Sequence, residues 1–337
     1  MLISVVMPCF NAAETLSEAV ETIQSQSWEK WELLAVDDGS TDNTFQILQH
    51  YAAKDSRIFP FQIKHGGIID ALNIGLAKAR GGLIARFDAD DRMHPDRFKR
   101  QWEFLQQHKD VDAASCLVES FPAEKTTPGF QRYLDWLNAL VNPEDIAREI
   151  YIESPLPHPS MMIRHEWLVK MNGYQEHGWP EDYDLWLRMH ANGARFAKVP
   201  EVLLYWRDHG NRLTRTDSRY SVENFIRAKA RYLSEGILKD RDAVFLWGAG
   251  QMGRRISKYL LRADIPLKAV FDVDARKIGR TMRALPIYSH EEIPAHWEQC
   301  ANPVLLAAVG SHRARKLIRE WLSERGFIEG SDWWAAA

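Results

Sequence analysis

The chain has 337 residues, 45% of them hydrophobic and 26% charged, with 43 Lys and Arg against 46 Asp and Glu and a formal net charge of −3. That length predicts two domains rather than one core, and the near-neutral charge argues against a dedicated nucleic-acid binder. Three scattered cysteines, Cys9, Cys116 and Cys300, offer neither a disulfide framework nor zinc-type spacing. No apolar run approaches the roughly 20 residues that span a bilayer. The opening MLISVVMPCF is too short and uncharged at its start for a secretion signal, so a cytoplasmic protein is expected.

Along the chain, strand and helix patterns alternate. LISVVM, ended by Pro8, reads as a strand, residues 12–25 as a helix, and ELLAV, ended by DDGSTDNT, as a second strand. A helix over 45–51, a strand near 58–61, a helix over about 68–80 and the strand LIARF follow. This rhythm implies a parallel sheet with helices on both faces, whose ligands bind beyond the carboxyl ends of the strands. PCFN, DDGS and DADD all fall at such ends, so three loops remote in sequence are expected to converge on one crevice.

The segment ARFDADDRMHP places Asp88, Asp90 and Asp91 within four positions directly after an apolar run. Like charges so close repel unless something positive sits between them. The D-x-D spacing alone is uninformative, because it recurs at Asp110/Asp112, Asp182/Asp184, Asp240/Asp242 and Asp272/Asp274. The setting separates this case: a strand end before it, the small Ala89 that leaves the carboxylates open, and a helical pattern beginning at Pro95. A site for a hard cation and a solvated turn that caps the next helix both fit these residues.

Between 121 and 159 the pattern loosens, broken by Pro122, Pro128, Pro143, Pro155, Pro157 and Pro159, as expected of connecting or lid structure. SMMIR reads as a strand, a helix follows near His165, and in GWPEDYDLWLRMHANG Pro180 starts a helix with Glu181 and Asp182 in its first turn. Leu185, Trp186 and Met189 form its apolar stripe. A helix N-terminus keeps a nearby carboxylate ionised, which suits a general base and equally suits acids placed there only for the macrodipole.

A basic helical stretch with Arg227, Lys229 and Arg231 is expected to link a first part, 1–215, across 216–240, to a small second α/β domain, 241–337. A membrane-surface contact through anionic lipid is one use of such a stretch, a solvated helix face the plainer one. In AVFLWGAGQMGRR, Gly248, Gly250 and Gly253 form G-x-G-x-x-G after a strand and before a helix, and Asp272 ends the next strand 22 residues beyond Gly250. That is the spacing of a dinucleotide site. The domain is short and shows no hydride-transfer machinery, so an NAD-like ligand is the lesser reading beside a module for packing, homo-oligomerisation or acceptor positioning.

Four motifs in order, SVVMPCFNAAETLSEAVETIQSQSWEKWELLAVDDGSTDNT, GGIIDALNIGLAKARGGLIARFDADDRMHPDRF, PEDYDLWLRM and YWRDHGNRLTR, make the first 215 or so residues resemble glycosyltransferase family 2, the inverting nucleotide-sugar enzymes of GT-A fold. The resemblance implies an α/β architecture, a GT-A nucleotide-sugar-binding domain with a central mixed, mostly parallel sheet, beside the small Rossmann-like α/β domain. It implies a divalent cation, Mn or Mg, on Asp90 with Asp88 nearer the ribose and Ala89 between them, His209 as a third metal or diphosphate contact, and Asp91 orienting the loop.

By the same resemblance Asp38 and Asp37 read the donor base, Pro8, Phe10 and Asn11 wall its pocket, Asp182 is the base, and Glu181 binds acceptor or sugar. Arg207 or Arg212 would neutralise phosphate, and Trp186 and His158 would lie near the acceptor. The implied reaction moves a sugar, from a UDP-sugar first among donors, to a hydroxyl of a glycan or lipid-linked acceptor in cell-surface polysaccharide synthesis. The place implied is the cytoplasm or the inner membrane face, with no nucleic-acid partner. Two other classes compete, an NAD-binding oxidoreductase and a non-catalytic nucleotide-sugar-binding regulator; both leave the paired acids without a role.

Overall fold

Apolar runs become strands wherever helices can cover both their faces. The computed structural model describes residues 1–210 and 212–337, and its contacts divide into two units. The first comprises Met1–Ala147, Pro155–His177 and Asp184–Asp217; the second comprises Arg148–Ser154, Gly178–Tyr183 and Ser218–Ala337.

The first unit begins as the alternation predicts: β1 (Ile3–Cys9), α1 (Leu16–Gln24), β2 (Trp31–Asp37), α2 (Thr44–Ala52), β3 (Ile58–Gln62), α3 (Ile68–Lys78) and β4 (Leu83–Arg86). β5 (Arg92–Met93), α4 (Arg97–Gln107), β6 (Ala113–Phe121), α5 (Pro128–Ala139) and α6 (Pro143–Glu149) come next. β7 (Met162–Arg164), α7 (His165–Lys170), α8 (Glu181–Ala191, of which residues up to Tyr183 count with the second unit), β8 (Phe196–Arg207) and α9 (Leu213–Thr216) follow. The sheet runs β3-β2-β1-β4-β7-β6-β8-β5. β1 pairs in parallel with β2 and β4, and β2 with β3; β7 is antiparallel to both β4 and β6, β8 is parallel to β6, and β5 antiparallel to β8. Every residue of β2 is buried, as a parallel strand covered on both faces requires. The pairings Cys9↔Asp37 and Val6↔Arg86 bring the ends of β1, β2 and β4 to one edge of the sheet.

The proline-rich stretch is more ordered than its pattern suggests. Pro128 and Pro143 open helices instead of breaking them, because a first-turn residue needs no N–H donor. Thr127 caps α5 by accepting from the Phe130 N–H at 3.2 Å, and Leu134 and Leu137 bury the helix against the core.

The second unit holds α10 (Val222–Glu235), β9 (Ala243–Trp247), α11 (Gln251–Arg262), β10 (Leu267–Asp272), β11 (Thr281–Met282), β12 (Leu285–Ser289), α12 (Ile293–Trp297), β13 (Pro303–Ala307), α13 (His312–Ser323) and β14 (Trp333–Ala335). Its sheet runs β11-β12-β10-β9-β13-β14, parallel throughout except for β11. Ile152 joins Phe245, Phe271, Leu305 and Trp333 in its core.

Helix α10, expected as part of a linker, falls within this unit. Its Lys229 is buried and donates from Nζ to the Ile152 carbonyl, Arg231 pairs with Glu235 at 3.0 Å, and Arg227 lies over the Trp179 ring. All three cations thus have partners inside the unit.

The glycine turn after β9 is sterically dictated. Gly248 has φ +121°, and a Cβ on Gly253 would lie 1.9 Å from the Gly248 carbonyl oxygen. Gly253→Ala must therefore push α11 off the turn. A loss of about 1–3 kcal/mol or more is expected, read as a lower melting midpoint of the whole chain.

Candidate functional site

The loops after β1 and β2 are laced together. Asn11, at φ 48°, donates its N–H to Ser40 Oγ at 2.8 Å, and its Oδ1 accepts from the Thr41 N–H at 2.9 Å. Asn is one of the few residues that take this left-handed conformation readily. Phe10 beside it is 49% exposed and stacks on His65, ring centroids 4.5 Å apart, giving an open aromatic platform. Pro8 precedes it, half-buried in β1.

Asp37 and Asp38, expected to read a base, are both buried and hydrogen-bonded within the protein. Asp38 accepts from the N–H groups of Gly66 and Gly67 at 2.8 and 2.9 Å and pairs with His65 Nδ1 at 2.9 Å. Asp37 accepts from the Ser40 N–H at 3.3 Å and Gln62 Nε2 at 3.0 Å. His65 and Gln62, which no motif marked, thus belong to the same wall.

The acidic loop after β4 brings Asp88, Asp90 and Asp91 together, with one ligand atom from each lying within 4.8 Å of the others. Arg86, buried at the end of β4, pairs with Asp88, and Ala89 is buried between the acids. Burial pushes the Asp88 carboxyl up, opposed by Arg86 and aided by the Asp90 charge. The Asp91 carboxyl is pushed well above the carboxylate range by burial and then by the charges of Asp90 and Asp88. Asp91 ties the loop to β8, accepting the Arg207 N–H on Oδ1 at 2.8 Å, while its buried Oδ2 has no hydrogen-bond partner among the described residues. Three converging carboxylates, one with an orphaned buried oxygen, form the donor set a hard divalent cation takes.

His209 Nε2 lies 2.8 Å from Asp90 Oδ2, so the fourth motif does reach the acidic loop; its Asn211 lies outside the described residues. The two arginines expected at phosphate divide. Arg207 pairs with Glu18 and donates Nε to the Asp90 carbonyl at 2.5 Å. Arg212 stacks on Trp206 and Phe130, 4.2 and 5.1 Å from their centroids, and its charge acts on the Asp88 and Asp91 carboxyls. Glu18, which also pairs with Arg92, carried no signal in the sequence: Arg207 is 189 positions away.

Trp186 and His158, expected near an acceptor, lie in the interior. Trp186 is fully buried between His158 and Phe196. His158 Nε2 sits 2.7 Å from the Tyr174 hydroxyl, and burial together with Arg86 holds its imidazole neutral.

In the second unit, the start of α8 treats its two acids differently. Glu181 is buried, and both its oxygens accept from the Tyr220 hydroxyl, at 3.0 and 2.7 Å, with Arg219 at 3.7 Å. Burial, then the charges of Glu181 and Asp182, keep the Tyr220 hydroxyl protonated and donating. Asp182 is only half-buried, its Oδ1 accepting from the Tyr183 N–H at 2.7 Å. Of the pair, Asp182 is the more exposed.

Gly248 and Gly250 line a cavity of about 460 Å³ together with Asp272, Lys277 and His290. Asp272 already accepts from the Ala249 N–H at 2.8 Å, Lys277 Nζ at 2.9 Å and the Asp274 N–H at 2.9 Å. Burial opposes these bonds, which still hold its carboxyl below its usual value.

Comparison with known proteins agrees with this geometry. Residues 4–171 match glycosyl transferase family 2, and residues 239–325 match the CoA binding domain, which fits the Rossmann-like second unit. A Bacillus subtilis protein named as glycosyltransferase EpsE is 33% identical over 232 residues, spanning 66% of this chain and 79% of the relative. The amylovoran biosynthesis glycosyltransferase AmsE of Erwinia amylovora is 28% identical over 210 residues, 60% of this chain and 75% of that one. Among solved structures, S. aureus TarS 1–349 in complex with UDP-GlcNAc aligns with a TM-score of 0.59 at 20% identity, covering 78% of this chain and 72% of that chain, a likeness of fold. The α/β architecture, the mixed sheet with its acidic strand-end loop and the 33% identity to EpsE together place the chain in glycosyltransferase family 2.

Proposed function

We propose that this glycosyltransferase transfers a sugar, with inversion, from a nucleoside-diphosphate donor to a hydroxyl of a growing glycan or lipid-linked acceptor in cell-surface polysaccharide synthesis. The observation that carries the reading is the cluster of Asp88, Asp90 and Asp91, with the buried Asp91 Oδ2 unpartnered among the described residues. Asp90 and Asp88, with His209 beside Asp90, would hold a divalent cation, Mn or Mg. Bound there, the cation supplies positive charge to the diphosphate that departs as the sugar C1–O bond breaks.

The remaining roles belong to the chain's own groups. Phe10 offers its exposed face to the donor base, within the wall formed by Asp37, Asp38, His65 and Gln62. Arg212, presented on Trp206 and Phe130, faces the diphosphate as its cation. Asp182 takes the proton from the attacking hydroxyl, and Glu181, fixed by Tyr220, orients acceptor or sugar.

The biosynthetic setting follows AmsE, whose name places it in amylovoran biosynthesis. Among the described residues no helix is long and apolar enough to cross a membrane, so a lipid-linked acceptor would be met at the membrane surface.

The decisive test is a panel of UDP-, GDP- and dTDP-sugars assayed for nucleoside-diphosphate release with Mn²⁺, Mg²⁺ or EDTA. Release confined to one base and abolished by EDTA is the expected result. Turnover that EDTA leaves intact would remove the cation from the mechanism, and stabilisation without turnover would turn the reading toward a binding regulator.

A further inference from the structure

We propose that Glu18 is a positioning residue for the acidic loop, holding the Arg92 and Arg207 guanidinium groups away from the carboxylates that would receive the cation. The inference rests on the cation reading given above and deepens it.

Glu18 sits in the first turn of α1 and gives one oxygen to each arginine, Oε1 to Arg92 and Oε2 to Arg207. Arg92 lies on β5 opposite Tyr205 of β8, two positions before Arg207 on that strand. Both guanidinium groups therefore lie over the same ring, that of Phe121, 4.6 and 4.4 Å from its centroid. Two like charges on one ring need an anion between them, and Glu18 is that anion.

Arg207 is also the arm by which β8 holds the loop. Its Nε donates to the Asp90 carbonyl at 2.5 Å and its N–H to Asp91 Oδ1 at 2.8 Å. The residues it touches are thus two of the three acids in the cluster. Deprived of Glu18, the guanidinium, already on the Asp90 carbonyl, is released to turn onto the Asp90 carboxylate and compete with a cation for its charge, while the Asp91 carboxylate keeps only the Arg207 backbone N–H. Glu18 stays charged where it sits, because burial works to raise its carboxyl but the hydrogen bonds from Arg92 and Arg207 hold it below its usual value. Arg207 is 19% exposed and Glu18 38%, so the pair is partly open to solvent and partly screened.

The test uses the full chain with Glu18→Gln, which keeps the shape and removes the charge. Two readouts are needed: Mn²⁺ titration followed by the free-ion electron paramagnetic resonance signal, and amide hydrogen exchange across residues 203–210 in metal-free protein. Glu18→Gln should raise the Mn²⁺ dissociation constant on the order of tenfold and speed exchange of the Arg207 amide. Turnover should largely recover at saturating metal. Adding Arg207→Met to Glu18→Gln should win back Mn²⁺ affinity, since the competing cation is gone; Arg92→Met alone should show a smaller shift in the same direction.

Unchanged Arg207 amide exchange in Glu18→Gln overturns the proposal. So does an unchanged Mn²⁺ constant, or a loss that Arg207→Met does not relieve. A wild-type protein that takes up no Mn²⁺ overturns the cation reading and this role with it, and the amide exchange, which needs no metal, tells the two failures apart.

Discussion

Asp182→Asn is expected to slow sugar transfer by about 10²- to 10⁴-fold, the contribution of one general base, while donor affinity stays close to that of the wild type. The amide keeps the carboxylate's shape and can still accept from the Tyr183 N–H through its Oδ1. What it loses is basicity. Glu181 is badly placed to substitute, because it is buried and its carboxylate accepts from the Tyr220 hydroxyl. Measuring donor affinity by calorimetry beside transfer to acceptor separates the roles. A collapse of donor binding with transfer preserved per bound donor would move Asp182 out of the base position.

Asp90→Asn should be comparably severe, through a different term. A cation at the departing diphosphate is worth several kcal/mol, so its loss lowers turnover on the order of a thousandfold, and added Mn²⁺ should not restore it. The same change should stabilise the metal-free protein. The carboxyls of Asp88 and Asp91 are raised foremost by burial, and the Asp90 charge raises both further.

For an acid raised in the folded state, the stability it contributes is fully present below its unfolded value and is lost as pH climbs through the folded one. Metal-free wild type should therefore melt progressively lower as pH rises from the ordinary carboxylate range upward. Asp90→Asn should flatten that slope. Thermal melts in EDTA across this window check it; a slope unchanged by the substitution would mean that the three acids do not share one field.

Much of the frame was legible because local pattern and tertiary role coincide there. LISVVM, ELLAV and LIARF become β1, β2 and β4, and the loops after them meet at one edge of the sheet because parallel strands share a direction. The prolines misled for the opposite reason: Pro128 and Pro143 read as interruptions, although at a helix start their missing N–H costs nothing.

Roles set by partners distant in sequence were hidden. DDGS shows two acids after a strand, but not that Asp38 would be claimed by Gly66, Gly67 and His65. Arg207 looked like a phosphate ligand because its motif places it near the site, and only the fold reveals Glu18 in front of it. Trp186 sits on an apolar stripe, and the stripe, not the neighbouring acids, decides where its ring goes. Lys229 carries the reverse lesson, a charge in a basic helix whose amine ends on the Ile152 carbonyl.

That last bond bears on how the gene can be dissected. A cut after residue 215, where the motifs end, strips the C-terminal piece of Arg148–Ser154 and Gly178–Tyr183, two segments counted among its own contacts. The excised fragment would carry an amine with no carbonyl to receive it and a core lacking Ile152. The Rossmann-like portion thus draws its contacts from three discontinuous stretches of the chain.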